Sequence, residues 1–148
     1  MSLEEYQKKR DFAISPEPNG NIESKQGSIF VIQEHHASHL HWDLRLEMNG
    51  VLKSWAVPKD PWDINKGIKR LAIQVEDHPI EYASFEGTIP KGEYGAGTVS
   101  IWDGGDLVIE EAKENKIVFL LGGDKMRGKY VLIKTPKMGK NSWLFFKI

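Results

Sequence analysis

The sequence predicts a mainly β fold, one barrel or sandwich of short strands preceded by a short amino-terminal helix and arm. Three observations predict it. Short stretches alternating between apolar and polar residues recur along the chain, separated by turn residues. No sustained helical pattern follows residue 12. The length, 148 residues, suits one domain with a real core better than two.

Taken in order, Leu3 to Arg10 reads as a short helix with Ser2 as its N-cap. Asp11 to Gly27 holds Pro16, Pro18, Gly20 and Gly27 and reads as an extended arm and loop. The expected division is therefore helix and arm over 1–27 and β domain over 28–148. Ser28 to Gln33 is a short apolar strand, Leu40 to Met48 a second and Val51 to Val57 a third. Between the last two lies Asn49-Gly50, the strongest short hairpin signal. A two-residue turn fixes the register: Met48 faces Val51, Arg45 faces Ser54, Leu44 faces Trp55 and Asp43 faces Ala56. Pro58 to Gly67 is a loop. Arg70 to Glu76 alternates again, with Leu71, Ile73 and Val75 on one side and Arg70, Gln74 and Glu76 on the other; His78 shares the Arg70 side if the strand runs that far. Glu86 to Gly97 is Gly-rich and reads as a turn-forming connection; it lacks the ending and the following helix of a phosphate-binding loop. Further strands are expected at Thr98–Trp102, Asp106–Glu110, Lys116–Leu121, Lys129–Lys134 and Ser142–Lys147. A turn at Asp103-Gly104-Gly105 separates the first two.

Gln33 to Glu47 holds four of the five histidines. From Leu40 onward, Leu40, Trp42, Leu44 and Leu46 share one face, and His41, Asp43, Arg45 and Glu47 the other. One strand face thus carries imidazole, carboxylate and guanidinium in a row, beside small Ser54 and Ala56. His41 and Asp43 point the same way, and His35 lies six residues before His41, at the end of the preceding strand or in the connection. Two imidazoles and a carboxylate suit Mn, Fe or Zn with positions left open. The plainer alternative is a polar turn beside cross-strand ion pairs. His39 shares the parity of His41 and stays open as a ligand; His36 points away from His35. Arg45 and Arg70 are natural phosphate forks, or else partners of nearby acids. His78 is a candidate proton or transition-state donor, with Tyr82 as a nearby hydroxyl; alternatively each is structural.

There are no cysteines, which removes disulfides, thiolate metal sites and cysteine nucleophiles. The polar start and the lack of a long apolar run predict no signal peptide and no membrane span, hence a cytoplasmic protein. Net charge is −1, without the basic excess usual in proteins that coat duplex DNA. Yet Gly122 to Ile148 carries seven Lys or Arg against one acid, Asp124. That segment reads either as solvated strands with guarding lysines or as a phosphate-backbone path.

In combination these residues resemble one family, the 3′-phosphoesterase domain of bacterial DNA ligase D and its stand-alone bacterial and archaeal relatives. The resemblance rests on R-D-F at Arg10 to Phe12 with Pro16-Glu17-Pro18, F-V-I-Q-E-H at Phe30 to His35 and L-H-W-D-L-R-L-E at Leu40 to Glu47. It extends through Gly50 to Lys59, Q-V-E-D-H-P-I-E-Y at Gln74 to Tyr82 and G-T-I-P-K-G-E-Y-G-A-G at Gly87 to Gly97. It implies a single-domain β-barrel enzyme using Mn²⁺, with Co²⁺ or Zn²⁺ as substitutes. Such enzymes trim DNA or primer-template 3′ ends, removing a terminal ribonucleoside and then the remaining 3′-phosphate to leave a 3′-hydroxyl. It implies His35, His41 and Asp43 as metal ligands. Arg45, Arg70, His78 and Tyr82 match the phosphate-contacting and catalytic set, with Lys59 close by. Arg10, Asp11 and Glu17 match the group needed most for the diesterase step. A separate DNA ligase and polymerase are the implied partners. The chain departs from the common pattern at Ala37-Ser38-His39-Leu40-His41, where many relatives carry two arginines, and at Asp60-Pro61-Trp62.

Two other classes remain to be separated. His39-Leu40-His41 followed by Glu47 and Gly50 is reminiscent of cupin-like metalloenzymes acting on small molecules, although the His-to-Glu gap is long and Arg45 interrupts it. A non-catalytic binder of nucleic-acid ends would bind without metal-dependent phosphate release.

Overall fold

The structure is a computed structural model that describes residues 3–10 and 29–148. Helix α1 spans Leu3–Lys8. Nine strands follow: β1 Ile29–His36, β2 Leu40–Met48, β3 Val51–Val57, β4 Arg70–His78, β5 Gly87–Ile89, β6 Gly97–Lys113, β7 Lys116–Gly122, β8 Arg127–Lys134 and β9 Ser142–Lys147. Their order is β1-β2-β3-β4-β9-β8-β7-β6-β5, and β6 also pairs with β1. Eight strands therefore close into an antiparallel barrel, and β5 adds to the outside of β6. Closure leaves the barrel no open edge. No helix among the described residues is long and apolar enough to cross a membrane.

The β2–β3 hairpin has the expected register at every pair from Met48↔Val51 to Trp42↔Val57. Asn49 and Gly50 both take positive φ, 56° and 79°, as a type I′ turn requires. Leu44, Leu46 and Trp55 point into the barrel and pack with Phe30, Phe119 and Phe145. The opposite face of the hairpin is buried too. Tyr6, Leu52, Tyr82, Phe85, Ile89 and Val99 form a second apolar cluster, where α1, β5 and a 3₁₀ turn at Ile80–Ser84 cover the outside of the barrel. The polar row of β2 lies under this cover.

Several expectations are corrected. β1 runs on to His36 and β4 to His78. Asp103-Gly104-Gly105 is not a turn but part of the continuous 17-residue β6. A Cβ at Gly105 would strike the Gly122 carbonyl of β7, so glycine there answers the close approach of a neighbouring backbone. In β4, Ala72 faces the core while Ile73 is exposed, the reverse of the expected sides. Ser54 pairs with Val75 but Leu52 pairs with His78, so β4 carries one extra residue. That bulge moves His78 onto the outer face, away from the side Arg70 shares with Ala72. The short strand β5 and the 3₁₀ turn at Pro61–Lys66 also went unforeseen. Ser2 and the arm from Asp11 to Ser28, with Asp11 and Glu17, lie outside the described residues.

Candidate metal centre

His35 on β1 and His41 and Asp43 on β2 converge on the outer face of the barrel. One donor atom from each lies within 4.8 Å of the others. His35↔His41 is a cross-strand pair, and its rings meet edge to face at 4.7 Å. Backbone carbonyls fix both tautomers, because a carbonyl only accepts. His35 Nε2 donates to Gly95 O at 2.7 Å, and His41 Nδ1 donates to His39 O at 3.2 Å. The remaining lone pairs, His35 Nδ1 and His41 Nε2, then face Asp43 Oδ2 at 3.6 and 3.2 Å. Three acceptor atoms aimed at one another need a cation between them, a proton or a metal ion. Backbone carbonyls in this position are the kind of outer contact that orients an imidazole toward a metal ion. The N/O donor set suits a borderline divalent ion.

The charges agree. Burial alone would raise the Asp43 carboxyl, but Arg45 and the two imidazoles hold it well below the usual carboxylate range. Burial disfavours the His41 imidazolium, yet Asp43 outweighs it and raises its pKa.

Arg45, 3% exposed, is clamped beside Asp43. Its Nε donates to Gln33 Oε1 at 2.6 Å, Nη1 donates to Ser54 Oγ at 2.9 Å, and Nη2 lies 3.5 Å from Asp43 Oδ2. Its guanidinium covers the Tyr82 ring at 4.8 Å. Gln33 also donates to Tyr82 O and Phe85 O, tying the 3₁₀ turn to β1. His78 is buried, and its Nδ1 donates to Glu76 O at 3.0 Å. Its Nε2 is therefore an acceptor and takes a hydrogen bond from Arg10 Nη2 at 3.3 Å. Burial, then Arg45 and Arg10, push the His78 pKa well below the ordinary histidine value. In the free protein this imidazole is neutral and carries no Nε2 proton to donate. Arg10 is in turn held by Glu76 Oε1 at 3.3 Å and lies over the Tyr6 ring at 3.9 Å.

These groups line one cavity of about 250 Å³, walled also by Ala56, Val75, Tyr94 and Gly95. Arg70 and Lys59 do not line it. Arg70 is held by the Asp63 carboxylate and by Asp60 O. His36 pairs with Glu34 at 2.6 Å on the opposite strand face, and His39 offers the site its backbone carbonyl. Sequence reasoning missed Gln33, Glu76 and Gly95. Gln33 was readable, because it alternates with His35 along β1. Glu76 sits at the bulge and Gly95 in a loop, where no periodicity marks them.

The chain matches the family model described as DNA Ligase D 3′-phosphoesterase domain over residues 33–134. It is 47% identical over 154 residues to the multifunctional non-homologous end joining protein LigD of Pseudomonas aeruginosa, covering 98% of this chain and 18% of that protein. It is 48% identical over 139 residues to the multifunctional non-homologous end joining DNA repair protein LigD of Mycobacterium tuberculosis, covering 90% and 18%. With the LigD of Mycolicibacterium smegmatis it shares 46% over 155 residues, 96% and 20%. The chain thus spans about a fifth of the length of the curated relatives it matches. With barrel, site and sequence in agreement, the chain belongs to the DNA ligase D 3′-phosphoesterase domain family.

Proposed function

We propose that the chain is a metal-dependent hydrolase that heals 3′ ends of DNA or primer strands. It removes a 3′-terminal ribonucleoside by phosphodiester cleavage and a 3′-phosphate by phosphomonoester cleavage, leaving a 3′-hydroxyl for repair. The observation that carries this reading is the set of three inward-facing acceptor atoms on His35, His41 and Asp43 beside the clamped Arg45, in a member of this family. A cupin-like reading is not favoured. It would use His39 and Glu47 as ligands, and neither belongs to the cluster.

The ion, Mn²⁺ in this reading with Co²⁺ or Zn²⁺ as substitutes, would be held by His35, His41 and Asp43 and supply Lewis-acid neutralisation of a phosphate oxygen. Arg45 faces the same oxygens with donors whose position Gln33 and Ser54 set beforehand, so little reorganisation is needed as charge develops. Arg10 and His78 form the opposite wall. A phosphate arriving there adds negative charge that favours protonated His78, which then passes its Nε2 proton to the leaving oxygen. The attacking group is water in both steps: in the diesterase step it displaces the 5′-oxygen of the terminal ribonucleoside and leaves a 3′-phosphate, and in the monoesterase step it displaces the 3′-oxygen and releases inorganic phosphate. Tyr82 supports Arg45 and His78 from below, with its ring 4.7 Å from that of His78. Arg10, followed in the chain by Asp11 and Glu17, is assigned chiefly to the diesterase step. Arg70 and Lys59 have no phosphate contact in this reading.

The names of the relatives speak of non-homologous end joining. We place this chain in the same kind of work, in the cytoplasm, with a DNA ligase and a polymerase completing the join. The test is a primer-template bearing one 3′-ribonucleotide, incubated with and without Mn²⁺, with its 3′ products resolved. The expected result is Mn²⁺-dependent appearance of the 3′-phosphate and then the 3′-hydroxyl end. An unchanged primer would contradict the reading.

A further inference from the structure

The cavity is smaller than the roughly 300–1,000 Å³ usual for small-molecule sites, at about 250 Å³. The buried polar groups of its lining are His35, Asp43, Arg45, Glu76 and His78, with half-buried His41 beside them, and the imidazoles and the guanidinium suit a phosphate and its sugar. Among the described residues, no aromatic face there is open to a base. Tyr82 is 2% exposed, with Arg45 over its ring and His78, Tyr6 and Phe85 around it. A nucleotide seated with its phosphate at the metal centre therefore leaves its base at the mouth.

Tyr94 stands at that mouth, 46% exposed. Its position relative to the metal centre is fixed by the next residue, whose carbonyl holds His35 Nε2 at 2.7 Å. Two turn hydrogen bonds set the loop, Glu93 N to Pro90 O and Ala96 N to Glu93 O, both 3.1 Å. From the helix side, Lys9 Nζ reaches the Tyr94 hydroxyl at 3.4 Å, and Lys9 and Arg10 lie 4.7 and 5.3 Å from the ring centre. An aromatic ring flanked by cations at the edge of a phosphate site is the combination that binds single nucleic-acid strands without choosing among bases.

Resting on the phosphoesterase reading, we propose that Tyr94 is the stacking platform for the nucleobase of the 3′-terminal nucleotide. The site then selects a nucleoside end over a bare phosphate ester, with little preference among the four bases. The rival role is a strut that pins the end of α1 to this loop through Lys9. A strut would affect every substrate alike and would depend on the hydroxyl.

The experiment compares 3′-phosphorylated oligonucleotides ending in each of the four bases with one ending in an abasic residue, in the presence of Mn²⁺. The readout is the ratio of kcat/KM for base-bearing over abasic ends. In the wild type it should be about ten-fold or more, the order of a base–aromatic stack. Tyr94→Ala and Tyr94→Leu should bring it close to unity, whereas Tyr94→Phe should keep it. A ratio unchanged in Tyr94→Ala, a wild-type ratio of one, or Tyr94→Phe falling with Tyr94→Ala would each overturn the proposal while leaving the phosphoesterase reading intact. A wild type that releases no phosphate from any of these ends would overturn both.

Discussion

The backbone oxygen of Gly95 sits 2.7 Å from His35 Nε2, so a loop far along the chain decides which nitrogen of a β1 histidine faces Asp43. The backbone favours glycine, with φ at +74°, although a Cβ there would make only an ordinary contact with His35 Cε1. Gly95→Ala meets a left-handed backbone penalty of ~1–2 kcal/mol. It should relax the loop and weaken Mn²⁺ binding about 10- to 100-fold, the usual effect of losing an outer contact. Isothermal titration of the variant checks this, and unchanged affinity would count against the role given to the loop.

Gln33 supports Arg45 and the turn carrying Tyr82 at once. Gln33→Leu leaves a buried guanidinium Nε without its acceptor. Stability should drop by about 1.5–3 kcal/mol, the range for hydrogen bonds to charged groups, and kcat should fall with it. Urea denaturation and steady-state kinetics measure the two effects.

The six-residue α1 is too short to hold itself as a helix. It stays docked through buried Tyr6 and Leu3 and through the Glu76 ion pairs of Lys9 and Arg10. Tyr6→Ala should free the helix and carry Arg10 away from His78. Hydrogen exchange in residues 3–8 should rise, and diester cleavage should fall on the order of 100-fold, as expected for a misplaced active-site group. Mn²⁺ affinity should persist, because the proposed ligands His35, His41 and Asp43 belong to β1 and β2.

The contribution of His78 to the pH dependence of stability has a defined sign, opposite to that of His41, whose pKa is raised. The folded protein holds the His78 pKa below its ordinary value, about 6.5 for an unperturbed histidine. Below that pH the unfolded chain takes up a proton that the folded chain refuses. Stability therefore falls as pH drops from the ordinary histidine value toward the depressed one. His78→Asn should flatten this part of the profile, as urea midpoints at several pH values would show. An identical slope in wild type and variant would mean that His78 is not held neutral by the fold.

How much of this was legible depends on local geometry. The β2–β3 register was readable to the residue because Asn49-Gly50 admits a single turn, and the register then placed Ser54 and Ala56 beside Arg45 and Asp43. His35 was readable as a candidate beside His41 and Asp43, but spacing across a turn does not fix direction, and it is the cross-strand pairing of His35 with His41 that brings the three together. Arg70 was misplaced because the alternation was continued through a bulge that adds one residue before His78; nothing in Glu76-Asp77 announces it. The glycines were ambiguous in kind. Gly50 serves a turn, Gly105 admits a neighbouring strand, and Gly95 holds the His35 imidazole through its carbonyl, yet all three look alike in sequence.

The central claim is that His35, His41 and Asp43 hold one divalent ion. Titration of metal-stripped protein with Mn²⁺, alongside His41→Ala and Asp43→Asn and with circular dichroism to verify folding, tests it most directly. One ion per wild-type chain, and loss of that binding and of phosphate release in both folded variants, is the predicted result. Wild-type affinity and turnover retained in folded His41→Ala would contradict it.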